Sequence, residues 1–173
     1  MSVPSNMIQI LPVSSDNAMI FKAVRLRALQ DSPSAFASTY ERESQRPDSH
    51  WVQRATEWNS GVKSTGYLAI EDGHDDACGI AGGYFDDDGS GPYLISMWVA
   101  PSYRRHGVGK RLVDAVLDWA RSRGAKQITL EVTTTNGPAV RFYESLAFVH
   151  TGKVSPYPND PRLQEYEMVK SLG

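Results

Sequence analysis

The chain has 173 residues, the size of one ordinary globular domain, so we expect a single domain over residues 1–173. Hydrophobic residues make up 40% and charged residues 22% of the chain, a composition that argues against wholesale disorder. Eighteen basic against twenty acidic residues give a net charge of −2, which disfavours a nucleic-acid partner because proteins that bind nucleic acids usually carry a basic excess.

Cysteine content and hydropathy predict the compartment. The single cysteine, Cys78, cannot form an internal disulfide or a cysteine-rich zinc site, which indicates a reducing environment. No apolar run approaches the roughly 18 residues of a membrane-spanning helix. The polar start, residues 1–7, lacks the basic and apolar regions of a signal peptide. We therefore expect a cytoplasmic protein with no membrane partner.

Seven segments have the apolar, β-branched composition of strands. In chain order they are residues 7–13, 67–71, 79–85, 93–100, 127–133, 148–154 and 166–169. An acidic, glycine-rich stretch at residues 86–92 separates the third and fourth segments and predicts a hairpin turn. A calcium loop is disfavoured there, because the stretch lacks the spaced ligands and terminal glutamate of such loops.

Four segments have the periodicity of helices. They are residues 18–29 after the candidate caps Ser15 and Asp16, then 49–58, 106–123 and 138–146. Pro33 is expected to stop the first helix, and Gly124 lies where a C-terminal cap belongs. The order of elements predicts an α/β fold with a mixed sheet covered by helices. Residues 93–133 form its parallel strand–helix–strand unit.

A basic, glycine-containing loop joins the fourth strand to the strongest helix. It begins after Pro101 and includes Arg104, Gly107, Gly109 and Lys110. Backbone amides at a helix start, unshielded by glycine side chains, favour a phosphate group. The loop fits neither a Walker loop, because Lys110 is followed by arginine, nor the dinucleotide fingerprint, because the third glycine is missing.

Two motifs resemble the GNAT superfamily of acetyl-CoA-dependent N-acetyltransferases. The first is Arg-x-x-Gly-x-Gly, filled by Arg104, Gly107 and Gly109, which resembles the acyl-CoA pyrophosphate loop. The second, residues 136–148, resembles Asn-x-x-Ala-x-x-x-Tyr-x-x-x-Gly-Phe, with Ala147 in place of the glycine. Alanine is less comfortable than glycine at a left-handed helix end.

The resemblance implies a mixed, mostly antiparallel sheet with one splayed parallel strand pair, flanked by about four helices. Acetyl-CoA would bind between the splayed strands, and no metal is implied. A β-bulge would direct the Met97 amide, within one residue, at the thioester oxygen. The other implied cofactor contacts are the main chain of Trp98 and Val99, the loop Arg104, Arg105, His106, Gly107, Val108, Gly109 and Lys110, and the residues Asn136, Ala139, Phe142 and Tyr143.

Two side chains are candidates for the chemistry. Tyr143 matches the superfamily tyrosine near the cofactor sulfur, where a phenol can protonate a departing thiolate. Its place in an apolar stripe also fits a purely core role. Glu131 interrupts an apolar strand and matches the base proposed in ribosomal-protein N-terminal acetyltransferases. Burial would raise its pKa toward that of a general base, while an exposed strand face, with water as the base, is the alternative.

The acceptor side is less defined by the sequence. Tyr157, in a proline-rich loop between the last two strands, and Glu41, after the first helix, are candidate substrate contacts. His50, His74 and His150 share no metal-ligand spacing with carboxylates, so no metal site is expected. Cys78 is expected to be a buried small hydrophobe rather than an acyl-carrying nucleophile.

The sequence therefore predicts an N-acetyltransferase that moves an acetyl group from acetyl-CoA to a small-molecule or protein amine by direct attack in a ternary complex. A non-catalytic acyl-CoA sensor on the same fold is the alternative. A nucleic-acid binder using the basic residues around the loop is the weakest reading, because no stacking aromatic side chains are interleaved with them. The family resemblance also implies a possible homodimer.

Overall fold

A computed structural model describes residues 7–173, so the start of the segment considered for a signal peptide, residues 1–6, lies outside it. Seven strands form one sheet in the order β1-β2-β3-β4-β5-β7-β6. The strands are β1 Ile8–Pro12, β2 Ser64–Glu71, β3 Ala77–Tyr84, β4 Tyr93–Val99, β5 Gln127–Thr133, β6 Val149–Tyr157 and β7 Asp160–Ser171. The α-helices are α1 Ala18–Asp31, α2 Tyr40–Glu43, α3 Asp48–Asn59, α4 Val108–Ser122 and α5 Gly137–Ser145.

All neighbouring strands are antiparallel except β4 and β5, which are parallel as predicted. These two strands share a single register pair, Tyr93 with Thr129. The amide of Thr129 also donates a 3.1 Å hydrogen bond to the carbonyl of Pro92. Beyond this point β4 and β5 have no further register pairs, so the sheet opens between them.

The helices cover the two sides of the sheet unequally. Helices α1 and α3 pack on β2, β3 and β4, and α4 packs on the opposite face together with α5. Along β5 the side chains alternate, so Ile128, Leu130 and Val132 enter the core beneath α4 and α5. Glu131 and Thr133 therefore point to the face on which α1 and α3 lie, at the part of the sheet beyond β4.

Several element boundaries differ from the prediction. Helix α4 begins at Val108 rather than 106, because Gly107 has the left-handed φ of +81° and caps it. The first helix is entered through a capping box of Ser14 and Asn17, not through Ser15 or Asp16, and the Ser14 amide donates a 2.8 Å bond to the Asn17 side chain. The sequence did not predict α2, a single turn capped by Thr39.

The C-terminal end of α5 has the left-handed geometry of the family motif although alanine replaces the glycine there. Ala147 has a left-handed φ of +70°, the position that the motif reserves for glycine. The Phe148 amide closes the helix end with a 3.1 Å bond to the Tyr143 carbonyl. Strands β6 and β7 are longer than predicted, because their polar outer halves pair with each other without an apolar signal.

A buried ion cluster joins α1, α2 and α3. Both oxygens of Glu43 accept from Arg25, at 3.2 Å from Nε and 2.9 Å from Nη2, and Arg54 adds a 3.3 Å bond. Burial alone would raise the pKa of Glu43, but the hydrogen bonds and charge of Arg25 outweigh it and lower this pKa to about 2. A pair this buried is strongly destabilised when one partner is removed.

We expect Glu43→Gln to lower the free energy of unfolding by about 3–5 kcal/mol at pH 7, because two arginines then lack their anion. The stability that ionised Glu43 provides is present above pH 4.5 and is lost as pH falls toward 2. Denaturant titrations should therefore show that the difference in free energy of unfolding between the wild type and the variant becomes smaller below pH 4.5. Glu41→Gln, an exposed neighbour, is the matched control, and an equal loss there would contradict the assignment.

Candidate active site

A cleft of about 440 Å³ lies where β4 and β5 diverge. Six of the candidates from the sequence line it together, namely Met97, Glu131, Asn136, Ala139, Tyr143 and Tyr157. The cleft is therefore formed by the two splayed strands, α5, the turn between β6 and β7, and residues 34–37 after α1. The remaining candidates lie around it or away from it.

A β-bulge shapes the β4 side of the cleft. The register between β3 and β4 shifts at this point, and Ser96 has a left-handed φ of +56°. The bulge thus lies one residue before Met97, within the expected range. Arg25 donates a 2.9 Å hydrogen bond to the Ser96 hydroxyl, so the ion cluster of the helical layer is attached directly to the bulge.

The loop before α4 presents backbone donors near the same cleft. Arg105 and Gly107 have left-handed φ values of +66° and +81°, which turn the chain into the helix. The amides of the first helical turn have no carbonyl acceptor within the helix, which leaves them available to an anion. A Cβ on Gly109 would lie 3.1 Å from the side chains of both Met97 and Phe142, so this glycine allows the turn to approach the cleft wall.

The basic side chains of this loop differ in their partners. Arg104 donates a 2.8 Å bond from Nε to the Val99 carbonyl and a 2.9 Å bond to Asp31. Asp31 also accepts from the Trp98 indole at 2.9 Å, and this bond is the main cause of its lowered pKa. Arg104 is therefore committed to holding the loop against α1.

The other loop side chains vary in availability. Lys110 lies 2.8 Å from Asp114 in an exposed ion pair, and Arg105 is exposed. His106 is half-buried, and Val108 is buried in the core beneath α4. Val108 can thus offer a ligand only its main chain, while Arg105 and Lys110 remain accessible to a phosphate.

Helix α5 carries the second group of candidates. The Asn136 side chain caps the helix by accepting from the Ala139 amide at 3.3 Å. Tyr143 is buried between the rings of Phe142 and Phe148, at centroid distances of 5.3 and 5.8 Å, and burial raises its pKa. Within residues 7–173 its hydroxyl makes no hydrogen bond, although it lines the cleft.

The face of β5 and β7 that borders the cleft is acidic. Glu131 is exposed, so of the two alternatives for this position the structure has the exposed strand face and not the buried carboxylate. The buried carboxyl is Glu165, which is 8% exposed, and burial together with the charge and hydrogen bond of Glu131 raises its pKa to about 7. Glu167 also lines the cleft and accepts a 3.0 Å bond from Thr151.

Glu165 and Glu167 were missed by the sequence reasoning. The last strand was predicted to begin at Tyr166, whereas β7 begins at Asp160 and pairs with β5 along residues 165–171. Strict alternation of Glu165, Glu167 and Val169 about Tyr166 and Met168 was the signal that could have placed both glutamates on one face.

The two acceptor-side candidates are separated by the structure. Tyr157 lines the cleft, but its hydroxyl donates to the backbone carbonyls of Pro33, at 3.0 Å, and Phe36. It thereby fastens the β6–β7 turn to the segment after α1. Glu41 is exposed and lies outside the cleft, in a separate surface depression beside Tyr157.

Three further expectations concern groups outside the cleft. Cys78 is buried as predicted, and burial raises the pKa of its thiol to about 11. Among residues 7–173, histidine, cysteine and carboxylate side chains nowhere gather in groups of three that could hold a metal. None of the helices in this part of the chain combines the length and apolar character needed to cross a membrane.

The chain is similar to known acetyltransferases. The sequence model of the "Acetyltransferase (GNAT) family" matches residues 26–148. The [ribosomal protein bS18]-alanine N-acetyltransferase of Escherichia coli strain K12 is 29% identical over 98 residues, 57% of this chain and 64% of that protein. Streptothricin acetyltransferase of Streptomyces lavendulae is 43% identical over 54 residues, 31% of this chain and 29% of that protein.

A solved structure extends the likeness over nearly the whole chain. The acetyltransferase yncA from Salmonella typhimurium, solved with its cofactor acetyl-CoA, has a TM-score of 0.76 and 16% identity, and the match covers 97% of this chain and 95% of that one. At this identity the likeness concerns the fold. The sequence relatives are matched over 29% and 64% of their own lengths, so each match covers a segment of the relative and not its whole length.

Proposed function

Because the chain belongs to the GNAT family of acetyltransferases, we propose that it transfers an acetyl group from acetyl-CoA to a primary amine in a ternary complex. The observation that carries this proposal is the cleft between β4 and β5. Tyr143 lies in its wall and carboxylates line its far side, while the first turn of α4 lies against the outside of its Met97 wall. Amine acetylation needs a site for the cofactor phosphates, an acid for the leaving thiolate and a proton acceptor, and these groups lie in or next to the cleft.

The residues present fit acetyl-CoA. In our proposal the amides of Gly107, Val108 and Gly109 bind the pyrophosphate, with Arg105 and Lys110 adding accessible positive charge. His106 lies on the same loop as a side-chain contact, and Arg104 fixes the loop from behind. When bound, acetyl-CoA supplies an activated acetyl thioester.

The pantetheine arm of acetyl-CoA would follow the open edge of β4. Beyond Tyr93 this edge of β4 has no strand partner, so we place the ligand along the main chain at Trp98 and Val99, where the Val99 carbonyl already accepts from Arg104. Asn136, Ala139 and Phe142 border the opposite side. The Met97 amide, next to the Ser96 bulge, would donate to the thioester oxygen as it gains negative charge.

Tyr143 is proposed as the acid that protonates the leaving thiolate. Three features support this role: the side chain is buried, its hydroxyl has no partner among residues 7–173, and it borders the cleft. A hydroxyl left without a partner in a packed wall is destabilising unless a ligand or water engages it. The same ring also serves the core, so the structural and catalytic roles coincide.

The acceptor amine would enter from the acidic face of β5 and β7, where Glu131 is the proton acceptor suggested by sequence resemblance. The Tyr157 ring borders this entrance, whereas Glu41 lies too far aside to support a direct contact. The relatives act on the alanine of a ribosomal protein and on streptothricin, as their names state. Both a protein amine and a small-molecule amine are therefore sensible acceptors.

The test is release of free CoA thiol from acetyl-CoA with a panel of amines: streptothricin, an alanine-initiated peptide, lysine and spermidine. We expect at least one amine to be acetylated well above the buffer control, with the product verified by mass spectrometry. Binding of acetyl-CoA without turnover of any amine would instead support the non-catalytic sensor.

Gly107 and Gly124 provide a matched pair for testing the pyrophosphate loop. They cap opposite ends of α4 with φ values of +81° and +78°, and a Cβ on either would meet nothing within 4 Å. Alanine at either position should lower the free energy of unfolding by a similar amount, about 1 kcal/mol. Only Gly107→Ala should weaken acetyl-CoA binding, about tenfold or more, since an amide–anion hydrogen bond is hindered.

Isothermal titration calorimetry measures this difference directly. Equal affinities of the Gly107→Ala protein and the wild type for acetyl-CoA would remove the loop from the binding site. Weakening in the Gly124→Ala protein would show that the loss reflects helix stability rather than contact with the pyrophosphate.

Tyr143→Phe should lower kcat by about 10- to 1000-fold, the range of a single general acid, while the melting temperature stays within the error of the wild type. Stability should hold because the removed hydroxyl bonds to nothing in residues 7–173. Tyr157→Phe should instead lower the stability of the protein. The Tyr157 hydroxyl bonds to backbone carbonyls, so its removal should lower the free energy of unfolding by about 1 kcal/mol. An unchanged kcat in Tyr143→Phe would leave this tyrosine with a core role alone.

A further inference from the structure

The uncovered face of β5 and β7 brings polar side chains together at the cleft. In the antiparallel register Glu131 lies opposite Glu167, and Thr133 lies opposite Glu165. All four side chains line the cleft, on the side of the sheet that α1 and α3 leave open. An acceptor that enters from this side meets these groups before it reaches Tyr143.

Glu165 differs from the other two glutamates in its surroundings. It is 8% exposed, whereas Glu131 is exposed and Glu167 is held by Thr151 and by Lys153, whose Nζ lies 3.8 Å away. Burial, together with the charge and hydrogen bond of the neighbouring Glu131, raises the pKa of Glu165 to about 7. Near neutral pH this buried carboxyl can therefore take up and release a proton at the cleft wall.

Thr133 supplies an independent sign of a ligand. Its side chain is 3% exposed, and its hydroxyl oxygen is one of the buried side-chain atoms in residues 7–173 without a hydrogen-bond partner. A hydroxyl buried without a partner is destabilising by about 1–3 kcal/mol. Because Thr133 is the cross-strand neighbour of Glu165, a group bound beside the carboxyl pair would be within its reach.

The remaining charges around the cleft leave Glu165 free to exchange its proton. The charged groups that line the cleft with it are Glu131, Glu167, Lys153, Asp86, Arg25 and Arg54. The phenols that line it are Tyr84, Tyr93, Tyr143 and Tyr157. Arg25 and Arg54 are bound to Glu43, and Lys153 lies near Glu167, so each of these cations has another carboxylate partner.

We propose, resting on the acetyl transfer proposed above, that Glu165 binds the ammonium group of the acceptor and takes its proton, and that Glu131 acts through Glu165 as a positioning residue. The acceptor is then a cationic primary amine presented to the face of β5 and β7. The Thr133 hydroxyl accepts a second hydrogen bond from the same nitrogen.

The protons and bonds balance over the reaction. One N–H proton of the ammonium passes to the Glu165 carboxylate, which leaves a neutral amine. Its nitrogen bonds to the acetyl carbonyl carbon as the carbon–sulfur bond breaks. The thiolate takes the proton of the Tyr143 hydroxyl and becomes the CoA thiol. The nitrogen, now bonded to the acetyl carbon, loses its second proton, and that proton restores the Tyr143 hydroxyl. Glu165 returns its own proton to solvent through the open cleft.

The test is the pH dependence of kcat/KM with whichever panel amine the wild type acetylates. The wild-type rate should fall below pH 7, where Glu165 holds its proton. Glu165→Gln should lower kcat/KM by about 100-fold or more at pH 7. Its pH profile should lack the fall below pH 7 that defines the acid limb of the wild type. Instead, kcat/KM of the variant should rise with pH until the free amine has lost its proton to water. The defect should therefore shrink at high pH.

The Glu131→Gln variant distinguishes the role of Glu131 from that of Glu165. It removes the charge and the carboxyl hydrogen bond that raise the pKa of Glu165, so the acid limb should move to lower pH while remaining present. Glu167→Gln, two residues along the same strand face, is the matched control and should keep the limb at its wild-type position. Loss of the limb in Glu131→Gln but not in Glu165→Gln would transfer the role to Glu131 and overturn the proposal.

A readout without turnover checks the proton on Glu165. In the unfolded chain this group loses its proton near pH 4.5, and in the folded protein near pH 7. Its contribution to stability is therefore complete below pH 4.5 and is lost as pH rises through 7. Over this interval the melting temperature of Glu165→Gln should rise relative to that of the wild type. If the difference between the two melting temperatures stays constant, the proposal that Glu165 holds a proton beside Glu131 is overturned.

The outcomes distinguish this proposal from the proposed function. A wild type that binds acetyl-CoA and acetylates no amine overturns acetyl transfer and the role of Glu165 together. A wild type that acetylates an amine with the same pH profile as Glu165→Gln overturns the role of Glu165 alone and leaves acetyl transfer standing.

Discussion

The early end of pairing between β4 and β5 is the constraint on which the rest of the site depends. Parallel strands normally continue their hydrogen-bond ladder, and a strand edge without a partner leaves backbone donors and acceptors unsatisfied. Here the ladder stops after Tyr93 and Thr129. The opening persists because the Ser96 bulge redirects β4 on one side, while the apolar residues of β5 remain fixed beneath α4 and α5 on the other.

The opening is held by contacts that reach it from different layers. Arg25 connects the ion cluster of α1, α2 and α3 to Ser96, and Gly109 lets the first turn of α4 touch Met97. Tyr157 fastens the β6–β7 turn to the segment after α1. These contacts come from different elements of the fold, so the width of the opening depends on the packing of the whole domain.

The sequence was sufficient for the parts of the site that are local in the chain. The basic loop before α4, α4 itself and the α5 motif with Tyr143 each occupy a continuous segment, where helix periodicity and glycine positions are informative. The left-handed end at Ala147 was likewise visible from one motif. These features need no knowledge of which strands become neighbours.

The sequence was insufficient where function depends on pairing between distant strands or on side-chain partners. Glu165 becomes a neighbour of Glu131 only through the β5–β7 register, which no local pattern encodes. For this reason the sequence offered Glu131 as a candidate buried carboxylate and did not offer Glu165. In the sequence, Arg104 is a positively charged residue of the kind that binds phosphate. Its actual partners, Asp31 and the Val99 carbonyl, are known only from the folded structure.

The two buried carboxyls beside the cleft show how partners decide what burial does. Glu43 and Glu165 both lose contact with water, which by itself favours the protonated form of each. Two arginines reverse that preference at Glu43 and keep it ionised, whereas a second carboxyl reinforces it at Glu165. At neutral pH Glu43 therefore serves as a fixed charge that holds the helices and the bulge, and Glu165 is left as the group that can exchange a proton with an incoming amine.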